Sequence, residues 1–272
     1  MSKHQGLGND FLVYDIRQGL PFSEGDPDTQ WASLARDWCD RRFGIGADGV
    51  LLLGREGTNE LTMVLYNADG SRAEISGNGI RCLVQAAYWQ DQIDGPATYV
   101  VNTDAGMRTV EVLEGSSSSN VAQLSVSMGV VSDIAEPSNW AALQCNPDRP
   151  VRHLSLGNPH SVVSVEDVAD VDLQTLGALV PHVNLEIVAP GPEAHAITMR
   201  VHERGSGITL ACGSGACASA VAAKAWGFVP ASAPEVLVHM DGGDARVRID
   251  ATTSQATLIG PSVFIANVVF HV

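Results

Sequence analysis

Two segments of the chain share one plan, and that plan limits what the chain can fold into. Asn67 and Ala68 precede Ser76-Gly77-Asn78-Gly79, and Glu203 and Arg204 precede Cys212-Gly213-Ser214-Gly215 at the same interval. In each, a small nucleophilic side chain stands just before a Gly-x-Gly turn that opens an apolar run of helical period. Ser76 and Cys212 are therefore equivalent positions half the chain apart, the signature of an internal duplication. The flanking sequence repeats too: GLGNDFLVYDI at Gly6 to Ile16 returns as SLGNPHSVVSV at Ser155 to Val165, which equates Asn9 with Asn158.

The order of elements is duplicated as well. After each Gly turn and short strand the spacing predicts a helix. One runs over Thr29 to Arg41, with Trp31, Leu34, Ala35, Trp38 and Cys39 on one face and Asp28 or Thr29 as cap; the other runs over Asp172 to Val180, with Leu173, Leu176 and Leu179. Strands then lead into each Gly-x-Gly turn: Val50 to Leu53 and Leu61 to Tyr66, then Ile187 to Val188 and Ile197 to His202. The helix over Gly79 to Gln90 gathers Ile80, Leu83, Val84, Ala87 and Tyr88 on one face, whereas that over Gly215 to Trp226 is small and apolar on nearly every side until Lys224 and so is expected to be buried. Further strands follow each: Thr98 to Asn102, Met107 to Val112 and Ala122 to Met128, then Val236 to Met240, Ala245 to Ile249 and Ala256 to Ile259. The expected class is α+β, two similar domains, each a set of strands wrapped around a central helix. Gly115 to Asn120 (GSSSSN) is the expected linker, placing the domains at 1–117 and 118–262, with the C-terminal strand 263–272 joined to the first.

With 16 basic against 31 acidic residues and a net charge of −15, neither nucleic acid nor an anionic membrane is an expected partner. Five cysteines lack metal-ligand spacing and suggest no disulfide framework, and Met1 to Asp10 carries no apolar core of a leader; a cytoplasmic protein is expected. No phosphate loop, dinucleotide fingerprint or His/Cys ligand cluster stands in the sequence, so no cofactor and no metal is signalled, although a pyridoxal site stays open.

A Gly-x-Gly segment at a helix start turns backbone N–H groups toward a small anion at the positive end of the helix dipole. Cys212 at such a start is expected to have its thiol pKa lowered. Cys39, Cys82 and Cys217 read as packing residues. Two acid–base groups on opposite faces of one α-carbon would remove a proton on one side and return it on the other, the chemistry of a racemase or epimerase acting on an amino acid.

On these residues the chain resembles the diaminopimelate epimerase family from end to end: Gly6 to Phe11 (GLGNDF), Gly44 to Leu53 (GIGADGVLLL), Asn67 to Arg81 (NADGSRAEISGNGIR), Gly157 to His160 (GNPH), Val183-Asn184, and Val201 to Gly215 (VHERGSGITLACGSG). The resemblance implies an active site in the cleft between the two domains and interconversion of LL- and meso-2,6-diaminopimelate, in lysine and cell-wall precursor synthesis, by a cofactor-independent homodimer with two cysteines as acid and base. By position it makes Cys212 one of that pair and puts Ser76 where the other cysteine is expected. It places His160 and Glu203 beside the bases, and Asn9, Asn67, Asn158, Asn184, Glu203 and Arg204 on the substrate, Arg204 taking the distal carboxylate. Gly77, Asn78, Gly213 and Ser214 supply backbone N–H groups to the reacting centre's carboxylate. By residue type alone the asparagines are turn residues, Arg204 a surface ion-pair partner and His160 a satisfied structural histidine.

Ser76 is the departure that matters, because an alcohol is a far weaker acid than a thiol and needs activation to act as a base, while serine is an ordinary helix cap. Ile208 stands where many relatives carry an acidic residue, and Gly49 where some carry glutamine. Three readings stay open: an epimerase working through Ser76 or impaired by it, a racemase or dehydratase of another amino acid, and a non-catalytic amino-acid binding protein.

Overall fold

The computed structural model describes residues 1–22, 24–116 and 118–269. It divides into two compact units, Met1–Val126 together with the segment from Pro261, and Ser127–Gly260. Among the described residues no helix is long and apolar enough to cross a membrane.

The first unit opens with β1 (Ser2–Gly6) and β2 (Asn9–Asp15), then α1 (Pro27–Cys39), β3 (Gly49–Arg55), β4 (Glu60–Asn67) and the short β5 (Arg72–Ala73). Its central helix α2 (Gly77–Gln90) is followed by β6 (Ala97–Thr103), β7 (Gly106–Glu114) and β8 (Val121–Val130). In the second unit β9 (Ser132–Asp133) leads to β10 (Val151–Ser155), β11 (Pro159–Ser164), α3 (Leu173–Leu179), β12 (Asn184–Pro190), β13 (Ala196–Glu203) and β14 (Gly207–Thr209). The central helix α4 (Gly213–Trp226) and strands β15 (Val236–Met240), β16 (Gly243–Ile249) and β17 (Gln255–Asn267) complete the chain.

Strand pairing reproduces the duplication. β1/β2 and β10/β11 are antiparallel hairpins; β2/β3 and β11/β12 are parallel; β3/β4 and β12/β13 are antiparallel. The short strands β5 and β14 fold back on β4 and β13, and β4/β6 and β13/β15 are again parallel. The registers equate Phe11 with His160, Gly49 with Asn184 and Leu51 with Glu186. The fold is thus α+β, each unit a sheet around one helix.

The central helices are buried because the sheet wraps them. In α2 every residue from Gly77 to Tyr88 is buried, so the single apolar face predicted for it is a correction. Its polar side chains are satisfied inside: Gln85 meets His4 Nδ1 at 2.9 Å and accepts from Ser262 Oγ at 2.7 Å, and Arg81 donates to Gly77 O, Asn78 Oδ1 and Pro261 O. In α4 the small side chains from Gly215 to Ala220 are all buried, as their composition predicts. The outer helices cover the opposite sheet faces. α1 packs Trp31, Ala35 and Cys39 on Leu12, Val50 and Leu52, and α3 packs Leu173 among Leu185 and Ile187. Strands covered on both faces explain the unbroken run VLLL in β3.

Several expected boundaries shift. Asp26, not Asp28 or Thr29, caps α1, accepting from Thr29 N–H at 3.0 Å with Pro27 in the first turn. Strands expected separately at Ala256 to Ile259 and from Val263 onward are one strand, β17, which runs through Pro261. The Gly115 to Asn120 segment joins antiparallel β7 and β8 inside the first unit, and the chain passes between units within β8 and β17. Of the expected linker, Ser117 lies outside the described residues, as do Phe270, His271 and Val272 of the expected C-terminal strand.

His4 is fully buried beside Phe264 and Trp89, and burial pushes its pKa down to about 4 while the Gln85 bond opposes the shift. The unfolded chain protonates His4 near the ordinary value of about 6.5 and the folded chain only near about 4, so acid favours unfolding across that window. Urea unfolding should accordingly lose on the order of 3 kcal/mol at this residue as pH falls from about 6.5 to about 4. His4→Gln should flatten that stretch of the profile even if it lowers stability throughout.

Candidate active site

The two Gly-x-Gly turns have one geometry. Ser76 caps α2 at φ −131°, ψ 125°, its Oγ accepting from Gly79 N–H at 3.0 Å. Cys212 caps α4 at φ −125°, ψ 113°, its Sγ accepting from Gly215 N–H at 3.4 Å. The nucleophile is the N-cap, which fixes it at the helix mouth. The N–H groups of Gly77, Asn78, Gly213 and Ser214 then precede the first intrahelical bonds, made by Ile80 to Ser76 O and Ala216 to Cys212 O. Such a mouth suits a carboxylate.

What lies behind each mouth differs. A Cβ on Gly79 would meet Ser76 Cβ at 3.1 Å and Leu51 Cδ2 and Phe11 Cζ at 3.4 Å, all of them carbon. A Cβ on Gly215 would lie 2.6 Å from Glu186 Oε1, so any side chain there would force the buried carboxyl group to shift. Where the first unit sets Phe11 and Leu51, the second sets His160 and Glu186, both fully buried. His160 Nδ1 lies 2.6 Å from Glu186 Oε1, and His160 Nε2 lies 3.1 Å from Asn158 Oδ1. Asn158 Nδ2 donates to Ser214 Oγ at 3.2 Å, and Ser214 Oγ is 3.6 Å from Cys212 Sγ.

In the first unit Asn9 and Asn78 meet directly, Asn78 Nδ2 donating to Asn9 Oδ1 at 3.3 Å, while Asn9 Nδ2 donates to Asp48 Oδ2 at 2.7 Å. Asn67 ends β4 opposite Gly49 and donates to Ser71 Oγ at 3.0 Å, holding the turn. In the second unit Asn184 opposes His160, donates to Pro159 O and accepts the Arg204 N–H at 2.9 Å, so it orients the turn carrying Arg204. The Arg204 side chain is exposed, and among the described residues no carboxylate pairs with it; it is not the surface ion pair its residue type suggests. Glu203 accepts from Thr209 Oγ1 at 2.5 Å.

The expected low pKa of Cys212 is overturned. Burial pushes the thiol well above its ordinary value, Glu203 and Glu186 add to the shift, and the bonds from Gly215 N–H and Ser214 oppose it without reversing it. Cys212 is 5% exposed, so desolvation outweighs the helix dipole. Burial likewise raises the Glu186 carboxyl, partly offset by His160. Cys39, Cys82 and Cys217 are buried packing residues, as their positions suggest. Glu186 and Asp48 are not among the residues picked out from sequence. A glutamate inside the apolar strand Asn184–Pro190 breaks that strand's pattern, which is the signal that would have found it.

Among the described residues no three His, Cys, Asp or Glu side chains are grouped to hold a metal ion. The family model described as diaminopimelate epimerase matches residues 1–132 and 153–265. A diaminopimelate epimerase of Thermosynechococcus vestitus is 37% identical over 96% of this chain and 95% of its own length. One of Desulforapulum autotrophicum is 34% identical over 97% and 96%. The solved structure of a predicted epimerase from Pseudomonas aeruginosa superposes with a TM-score of 0.72 at 13% identity, covering 97% of this chain and 96% of that one, a likeness of fold. Family model and relatives together cover nearly the whole chain, including both capped turns, and the chain belongs to the diaminopimelate epimerase family.

Proposed function

We propose that the chain is a diaminopimelate epimerase that interconverts LL- and meso-2,6-diaminopimelate by proton transfer at one α-carbon, with Cys212 and Ser76 as the two proton-carrying groups and no cofactor taking part. The observation that carries this reading is the repeated N-cap: a proton-bearing side chain held at each helix mouth by the third N–H of its own helix. The neighbouring first-turn N–H groups are placed to take the carboxylate, where negative charge grows as the α-proton leaves. The reading gives the uncommitted Arg204 guanidinium the distal carboxylate of a long dicarboxylic substrate, and Glu203 the substrate ammonium.

Electrostatics divide the labour. A thiol held well above its ordinary pKa keeps its proton until substrate arrives. An ammonium beside Glu203 cancels one of the charges that raise it, so substrate itself moves Cys212 toward the thiolate. Ser76 accepts an N–H bond, and the nearest side chains of the sheet behind its turn, at Gly79, are Phe11 and Leu51, which supply no base. Serine therefore serves the reaction better as a donor than as a base, and inversion through it is slow. The same observation favours a second reading, a one-base enzyme of another amino acid.

Incubation with LL-diaminopimelate in deuterated water separates these readings. Ser76→Cys is expected to raise meso-product formation about a hundredfold, the scale of one acid–base group. α-Deuterium uptake without meso product in both forms would exclude the epimerase reading. Removing one of the repelling charges should also lower the thiol's pKa: Glu203→Gln is expected to speed alkylation of Cys212 at neutral pH several-fold, read by the mass of its peptide. An unchanged or slower rate would show that Glu203 does not act on the sulfur.

A further inference from the structure

The Cys212 thiol is the end of a chain of polar contacts that starts at a carboxylate sealed in the second unit. The steps run Glu186 Oε1 to His160 Nδ1 at 2.6 Å, His160 Nε2 to Asn158 Oδ1 at 3.1 Å, Asn158 Nδ2 to Ser214 Oγ at 3.2 Å, and Ser214 Oγ to Cys212 Sγ at 3.6 Å. They come from β12, β11, the turn before β11 and the first turn of α4, so the fold, not the local sequence, assembles the chain.

Its polarity follows from donor and acceptor inventory. Asn158 gives its Nδ2 to Ser214 and so turns its Oδ1 to His160, which satisfies Nε2 only if that nitrogen carries a proton. Nδ1 and Glu186 Oε1, 2.6 Å apart, share a proton between them. With the Ser214 hydroxyl pointed at sulfur, every donor from His160 Nε2 onward is directed toward Cys212. Glu186 Oε2 is buried and has no hydrogen-bond partner among the described residues, so the carboxyl group is held by its contact with His160 and by the start of α4, against which Oε1 lies.

We propose that Glu186 is a positioning residue for the proton chemistry of Cys212: it holds the His160 ring with its Nε2 proton facing Asn158, and through Asn158 and Ser214 that ring directs a hydrogen bond to the sulfur that favours its thiolate. This rests on reading Cys212 as an acid–base group. The charged groups facing the sulfur are Glu203 from β13 and Glu186 from β12; the direct charge of Glu186 opposes the thiolate, but Glu186 is paired to His160 from β11, and in this proposal the relayed hydrogen bond outweighs that charge. Glu186→Gln keeps the shape and still accepts from Nδ1, but an amide takes no proton from the ring, so a neutral ring that donates from Nδ1 leaves Nε2 bare. A bare Nε2 then requires the Asn158 amide to turn and donate to it. The Ser214 hydroxyl is drawn to Asn158 Oδ1 and away from sulfur, and the chain reverses.

The test titrates the thiol directly by the pH dependence of iodoacetamide modification of the full chain, read on the Cys212 peptide with the partly exposed Cys145 as internal reference. It can therefore fail while the epimerase reading stands, or hold while diaminopimelate turnover fails. The half-point should rise by about one pH unit in Glu186→Gln, about tenfold slower modification at a fixed pH below it, and by a similar amount in Ser214→Ala, which leaves the buried pair in place. A fall in Glu186→Gln would overturn the proposal, because it would show the carboxylate acting as an unpaired charge on the sulfur. So would an unchanged half-point in Ser214→Ala, which decides the last link even if the core variant does not fold.

Discussion

A buried helix has to have its first N–H groups satisfied inside the protein, and both halves of this chain meet that requirement with a nucleophile. α2 and α4 are wrapped by sheet, and water does not reach most of their length. One N–H in each is taken by the cap, Ser76 or Cys212, and the Gly-x-Gly sequence lets the sheet approach the turn closely. Both glycines are closely packed: a Cβ at 79 would press on Ser76, Leu51 and Phe11, and one at 215 would displace a carboxyl oxygen of Glu186.

From that shared scaffold the halves diverge in chemistry. Phe11 and Leu51 make an apolar floor under Ser76, and their counterparts His160 and Glu186 make an ionisable one under Cys212. A duplicated fold thereby keeps its backbone while the electrostatics of its two turns separate. The thiol sits among charges that govern its proton; the alcohol sits on hydrocarbon.

Much of the fold was legible because it is written locally. The caps, the Gly-x-Gly turns and the period of each helix are short-range patterns, and the strands of β3, β4, β13 and β15 lie where alternation and β-branched residues put them. The misreadings share a cause. Asp26 was passed over because the helix was begun at its apolar face instead of at Pro27. β17 was split because glycine followed by proline reads as a break, although Pro261 is accommodated with its carbonyl bonded to Arg81. The Ser-rich segment before β8 reads as a linker by composition, yet it only turns a hairpin.

The sequence by itself determined the duplication, the element order, the equivalence of Ser76 with Cys212 and the family, because each is carried by residues close together in the chain or by the repeat itself. Only the tertiary structure decided which groups stand behind those two positions. His160 reaches Glu186 through a parallel register between strands joined by a helix, a pairing no local pattern states. The proton affinity of Cys212 was decided there as well. A helix start alone favours the thiolate, but burial and the charge of Glu203 favour the thiol, and burial is a property of the packed fold.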